Sequence, residues 1–268
     1  MKKSDSLTAI GLAVGAGMLL FSMMSGSSLV IFFDAASIMI TVGGSFCALL
    51  ISYSMDEIKK VMPLLSEAFK EKSFSGVEVI KIFTSLSRKA RREGLLSLED
   101  EIIQIEDEFL KKGLQMVIDG IEPETIKEIL ELEVDEMAMR HTAGANVFQT
   151  WGAYAPGFGM IGTLIGLIQM MQNLSDAATI AIGMGKALLT TLYGSLLANL
   201  FCQPIAANLR NKSEKEVAMR SMVVEGILAI QSGVNPRIVE EKLLTYISPG
   251  ERAAYLKETT ESSEGVAE

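Results

Sequence analysis

A single histidine, His141, and two cysteines, Cys47 and Cys202, are all that the 268 residues hold of the usual soft site chemistry. No Ser/His/Asp or Cys/His set is available for nucleophilic catalysis, and no CxxC or His/Cys cluster has metal-ligand spacing. An intramembrane hydrolase lacks its residues. Both cysteines lie in apolar runs with no secretory context for a disulfide, so they read as packing residues. No Gly-Lys-Ser or Gly-Lys-Thr follows any glycine, which excludes a phosphate-binding loop of that type.

The most informative absence is of charge. Residues 7–33, 35–55, 142–175 and 187–209 contain no Asp, Glu, Lys or Arg. A hydrocarbon core of about 30 Å takes about 20 helical residues, so each run can cross a membrane. Lys2 and Lys3 precede the first run, thirteen basic residues lie from Lys59 to Arg140, eight lie from Arg210 onwards, and Lys186 stands alone. By the positive-inside rule the amino terminus, the middle segment and the carboxyl tail are cytoplasmic. The first run is too long for a signal peptide and a second follows at once, so it reads as an uncleaved span. The net charge of -9 belongs to the cytoplasmic parts and does not point to nucleic acid.

The expected fold is an all-α membrane protein. It has four transmembrane helices, a large cytoplasmic helical domain between spans two and three, and a cytoplasmic carboxyl-terminal helical segment. Residues 1–53 hold spans one (7–24) and two (29–53), joined by an outer turn at 25–28. Gly11, Gly15, Gly17, Gly43 and Gly44 are small residues that let helices approach closely. Residues 54–141 read as amphipathic helices. Ser75 and Glu78 have capping-box spacing for a helix that stops at Gly94. Ser97 opens a second, with Leu98, Ile102, Ile105 and Phe109 at helical spacing. Pro123 starts a third, with Ile126, Ile129, Leu130 and Val134 on one side and no break before span three. Residues 142–205 hold spans three (145–171) and four (178–205), with an outer turn at 172–177. Residues 206–247 read as cytoplasmic helices broken at Gly233-Val234-Asn235-Pro236, and residues 248–268 as a polar, mobile tail.

Within the spans, Thr163 lies 14 residues before Ala177 and Thr191 lies 14 after it. In an antiparallel hairpin rising about 1.5 Å per residue, the two hydroxyls share one depth, roughly mid-membrane. Thr190, Tyr193, Ser195 and Asn199 add further polar groups to span four. These hydroxyls either bond to their own or a neighbouring helix as packing, or line an ion path. Pro156 frees a carbonyl inside span three, which is tolerated only where protein or water meets it; a packing kink and a functional break both fit. Pro204 closes span four. Asp34 lies about 9 Å past the outer turn, either as an interfacial residue or as a carboxylate facing water or a partner. The long stem of Lys186 reaches the headgroups. No span carries a carboxylate at mid-depth, so a proton path would need an acid from a partner, and sodium would need oxygen ligands together with that partner. In the middle segment, Arg88, Lys89, Arg91 and Arg92 crowd one helix end, and Glu99, Asp100 and Glu101 crowd the start of the next. Both complement helix dipoles, as a solvated surface or as a docking site.

Four stretches together resemble the flagellar stator family of MotA and PomA, from Ala9 to about Leu256. They are Phe33-Asp34-Ala35-Ala36-Ser37-Ile38 with Val42-Gly43-Gly44-Ser45, Ala90-Arg91-Arg92-Glu93-Gly94 with Leu98-Glu99, Ala155-Pro156-Gly157-Phe158-Gly159-Met160-Ile161-Gly162-Thr163, and Leu188-Leu189-Thr190-Thr191-Leu192-Tyr193-Gly194-Ser195 closing at Pro204. The resemblance implies a stator subunit of the bacterial inner membrane that, with a single-span MotB-like partner, passes protons or sodium and turns ion flow into torque. It implies a pentamer around a partner dimer, with the partner supplying the essential aspartate. It places Pro156, Thr163, Thr191 and Asp34 on the ion path, Pro156 and Pro204 in conformational coupling, and Arg91 and Glu99 against the rotor protein FliG. It implies no cofactor beyond the transported cation, no metal site and no enzymatic activity. Hydroxyl oxygens at both Thr163 and Thr191 suit a hard cation. The nearest alternative is an ExbB/TolQ-like energising subunit, which has three spans and an outside amino terminus.

Overall fold

The computed structural model describes residues 6–59, 75–172 and 174–264. Lys2 and Lys3, residues 60–74 of the expected middle domain, Asn173 in the second outer turn and residues 265–268 lie outside the described residues. Among the described residues all regular structure is helical. Four helices are long and apolar enough to cross a membrane: Thr8–Gly26, Leu29–Ser52, Pro123–Met171 and Ala177–Gln231. The chain divides into two compact units, one of Met1–Lys72 and Arg140–Lys212, the other of Ser73–Met139 and Ser213–Glu268.

In the first unit, α1 (Ser6–Gly26) is the first span. The second span is irregular. A 3₁₀ turn (Leu29–Phe32) precedes α2 (Ala35–Ile38), a π segment (Met39–Gly43) and α3 (Gly44–Ser52), with α4 (Met55–Lys59) following. Asp34 causes the first break. It is extended (φ -133°), and its carboxylate caps α2 by accepting from Ser37 N–H at 2.8 Å. The π segment leaves Val42's carbonyl accepting from the Ser45 hydroxyl at 3.1 Å. Helix α8 (Pro123–Met171) contains Pro156 without interruption, and α9 (Ala177–Leu196) returns antiparallel to it. Span four then widens into a π segment (Leu197–Cys202) before α10 (Gln203–Gln231). Pro204 has no N–H to give a carbonyl four residues back. Just before it, Gln203 N–H reaches the Ala198 carbonyl five residues back, which is how a π turn accommodates the loss. The close approach expected at glycine holds for Gly44, which lies against the Phe158 ring, and for Gly15, whose Cβ would meet Leu200 at 3.3 Å. Gly11 and Gly17 face open space instead.

In the second unit, α5 (Gly76–Glu93), a 3₁₀ turn (Leu95–Leu98), α6 (Glu99–Ile103), α7 (Glu108–Ile118), the first turns of α8, the end of α10, α11 (Pro236–Leu244) and α12 (Pro249–Glu264) enclose one core. Val79, Ile80 and Phe83 of α5, Leu114 of α7, Ile126 and Leu130 of α8, Ile227 of α10 and Val239 of α11 are buried there. Each fully buried large aliphatic contributes about 1.5–3 kcal/mol. Asp107 caps α7 through Leu110 N–H and holds Arg220 at 2.6 Å. Arg220 also lies 4.9 Å over the Phe109 ring.

Four local expectations change. Ser75 precedes α5 but makes no side-chain cap, so the box with Glu78 does not form. Ser97 gives its hydroxyl to Gly94's carbonyl at 2.7 Å, and the expected second helix is broken at Gln104 because Asp107 starts a new one. Ile129 is 36% exposed, whereas Ile126, Leu130 and Val134 are buried. The tail expected to be mobile contains α12, opened by a reciprocal box between Ser248 and Glu251 with Pro249 at its first position. Tyr255 of α12 is buried, with its hydroxyl on Glu240 at 2.7 Å; burial and that carboxylate push the phenol up to about 12.

Candidate functional site

Glycine sets the distance between α8 and α9. A Cβ on Gly159 would stand 2.9 Å from Thr190's carbonyl, and one on Gly194 would stand 2.7 Å from that of Ala155. Gly162 lies against the Thr190 side chain. Small residues at such spacing let membrane helices pack backbone to backbone. The same closeness brings Thr163 and Thr191 together, their hydroxyl oxygens 2.6 Å apart.

Around that pair is a knot of oxygen. Thr163 Oγ1 lies 3.1 Å from the Gly159 carbonyl and 3.0 Å from that of Ala187, and Thr191 Oγ1 lies 3.2 Å from the Ala187 carbonyl. Four oxygens share two hydroxyl protons, so the cluster keeps spare lone pairs. The packing reading and the ion reading thus use the same geometry: each hydroxyl can bond back to its helix while still presenting an oxygen outward. Thr191, Ser195 and Asn199 are exposed on α9 and the π segment after it, as are Pro156 and Met160 on α8. Thr190, one residue from Thr191, is buried and takes no part in that surface. Its carbonyl receives the Thr41 hydroxyl at 3.4 Å.

Pro156 lies seven residues before Thr163, about 10 Å along the helix, with its Cα 3.2 Å from where a Cβ on Gly194 would stand. Asp34 is tied to span four, since its N–H donates to the Tyr193 hydroxyl at 3.0 Å. Pro204 follows the π segment and is exposed. In the second unit, Arg91 and Glu99 are both exposed, on either side of Gly94. Gly94 ends α5 at φ 88°, a left-handed conformation in which a side chain would be strained. Lys89 pairs with Glu101 at 2.9 Å, which raises its pKa, and Arg88, Lys89, Arg91 and Arg92 line an open groove of about 1170 Å³.

Known proteins resemble this chain over most of its length. Residues 101–222 match the MotA/TolQ/ExbB proton channel family, and residues 9–94 match the Motility protein A N-terminal family. Motility protein A of Borreliella burgdorferi is 46% identical over 91% of this chain and 94% of its own. Chemotaxis protein PomA of Vibrio alginolyticus is 35% identical over 95% of this chain and 100% of its own. The flagellar MotAB stator complex from Bacillus subtilis contains a chain with a TM-score of 0.88, 35% identity and coverage of 94% of this chain and 99% of that one.

The chain belongs to the MotA/PomA family of flagellar motor stator subunits. The resemblance read from the sequence therefore holds, as does the all-α fold with four membrane helices. The protein is a multi-pass membrane protein. The match to the Motility protein A N-terminal family separates it from an ExbB/TolQ-like chain. Two features of this region were not read from the sequence: the close approaches at Gly159, Gly162 and Gly194, and the hydrogen bond between Tyr193 and Asp34. The i, i+3 and i+7 spacing of Gly159, Gly162 and Gly166 was the available signal for the first. A tyrosine inside an apolar span, whose hydroxyl needs a hydrogen-bond partner, was the signal for the second.

Proposed function

We propose that this subunit, with a single-span MotB-like partner, conducts protons or sodium along the exposed side of α8 and α9 and converts that flow into torque on the flagellar rotor. The observation that carries the reading is the Thr163–Thr191 contact on an open side of two membrane helices, where Thr191, Ser195 and Asn199 expose polar groups. Such oxygens are costly against lipid and useful against a conducted cation. The described residues of the spans offer Asp34 near one end and no carboxylate beside the threonine pair, so the partner's helix supplies the aspartate that carries the charge. Pro156 faces the same side and, with Pro204 after the π segment, lets span three and span four change shape as the ion passes.

In this reading the chain forms a pentamer around a partner dimer in the bacterial inner membrane, with both termini cytoplasmic, as the distribution of Lys and Arg supports. Arg91 and Glu99 meet the rotor protein FliG. No catalytic step is assigned. The test is motility in a cell that lacks its own stator and carries this chain with its partner. Thr191→Ala and Pro156→Ala are expected to stop swimming while the complex still reaches the membrane. Swimming that persists with either variant removes that residue from the path.

A further inference from the structure

The Tyr193 hydroxyl sits where span two is broken. It donates to the Phe32 carbonyl at 2.5 Å and accepts the Asp34 N–H at 3.0 Å. Those backbone groups flank the gap between the 3₁₀ turn and α2, which is only four residues long. A break in a membrane helix exposes donors and acceptors that lipid cannot satisfy. One phenol hydroxyl answers one of each. The Asp34 carboxylate, meanwhile, takes its hydrogen bonds on one oxygen. Among the described residues, Ser37 N–H at 2.8 Å and the Ser37 hydroxyl at 2.5 Å both reach Oδ2, and Oδ1 is left for another cation or donor. The backbone that aims this carboxylate is therefore held from span four, by a residue two positions beyond Thr191.

We propose that Tyr193 is a positioning residue for the ion entrance. Its hydroxyl fixes the break in span two so that Asp34 presents one carboxylate oxygen to the incoming cation, and it fastens that carboxylate to the helix that carries Thr191. This rests on the reading of Asp34 and Thr191 as parts of one ion path. Tyr193→Phe keeps the ring and removes only the two backbone hydrogen bonds.

The test expresses the chain with its partner in a cell lacking other stators, and reads swimming speed against sodium at fixed pH and against pH at fixed sodium. Tyr193→Phe is expected to raise the half-saturating concentration of the driving cation roughly five- to thirtyfold, since it loses two hydrogen bonds worth about fivefold each. Top speed should fall by less than that factor. If Tyr193 acts through Asp34, the double variant Tyr193→Phe/Asp34→Asn will have the half-saturating concentration of Asp34→Asn alone. The proposal is overturned by a Tyr193→Phe curve that overlays the unmodified one, by a loss of top speed at unchanged half-saturation, or by additive effects in the double variant. A fall in membrane-assembled complex that accounts for the whole loss also overturns it, since that is a structural role. Normal swimming by Thr191→Ala in the same cells would instead sink the ion-path reading itself.

Discussion

Gly166 and Gly183 meet backbone to backbone: a Cβ on Gly166 would stand 2.7 Å from the Gly183 carbonyl oxygen, and one on Gly183 would stand 2.8 Å from that of Gly166. The contact is reciprocal and lies one turn from Thr163. It holds α8 and α9 close together on the Ala177 side of the two threonine hydroxyls.

Any side chain at Gly183 must push the helices apart, because it would meet the Gly166 carbonyl and the Cα and Cβ of Met170, none of which can rotate away. Gly183→Val is expected to destabilise the purified complex by about 1–3 kcal/mol, the usual cost of overpacking, and to stop swimming. Gly185→Val, in open space on the same helix, serves as the matched comparison. Equal thermal stability of the two variants would show that the close contact does not set the helix pair.

Thr163→Val keeps the shape of the side chain and deletes its oxygen. If the oxygen cluster stages the cation, ion flux through the reconstituted complex should drop about tenfold or more, since hydrogen bonds to charged groups are worth about 1.5–3 kcal/mol. Thr163→Ser retains the hydroxyl and should keep most of the flux. Flux that follows side-chain volume instead, with Thr163→Ser worse than Thr163→Val, would make this a packing site.

The spans were legible because lipid forbids charge over long runs, and four such runs leave little choice of topology. The shared depth of Thr163 and Thr191 was legible for the same reason, as hairpin geometry fixes it. The breaks were not. Asp34 ends one turn and caps another through Ser37, and the π segments arise where a backbone carbonyl must find a donor five residues on. Those outcomes depend on which neighbour offers a group, and Tyr193 lies 159 residues from Asp34. Capping misled in the same way: Ser75–Glu78 and Ser248–Glu251 share one spacing, yet only the second pair bonds.

Asp107 does two jobs in the second unit, capping α7 and holding Arg220, with their side chains only 12% and 22% exposed. Asp107→Ala leaves a partly buried guanidinium and an uncapped helix. It should lower stability by about 3 kcal/mol. Asp107→Asn keeps the cap and should lose less. Thermal unfolding of the intact complex separates the three proteins, and equal melting of Asp107→Asn and Asp107→Ala would mean that the cap contributes nothing.

Glu251 makes the carboxyl-terminal helix sensitive to acid. The Ser248 hydroxyl and backbone N–H both donate to its carboxylate, which holds its pKa below the ordinary 4.5. A carboxyl depressed in the folded state stabilises that state fully above its unfolded value, and the contribution is lost as pH falls through the folded pKa. Amide exchange at Arg252, whose N–H bonds to the Ser248 carbonyl, should therefore accelerate below about pH 4.5 once intrinsic rates are removed. Glu251→Gln keeps a capping oxygen without titrating and should show no such step. A step of the same size in that variant would assign the acid sensitivity elsewhere.

Arg91 and Glu99 lie exposed on either side of the Gly94 turn. Neither side chain has a hydrogen bond or ion pair with another described residue, unlike that of Lys89, which Glu101 holds. Charges that support nothing within the subunit can be reversed at little cost to it, since surface changes of this kind usually stay within about 0.5 kcal/mol. Arg91→Glu and Glu99→Lys are thus expected to leave complex assembly and thermal stability unchanged while swimming speed falls several-fold, as loss of a complementary contact with the rotor would require. A compensating charge reversal on the rotor protein should restore speed for one variant and worsen it for the unmodified chain. If either variant swims at full speed, that residue does not face the rotor; if assembly is lost, its charge serves the fold.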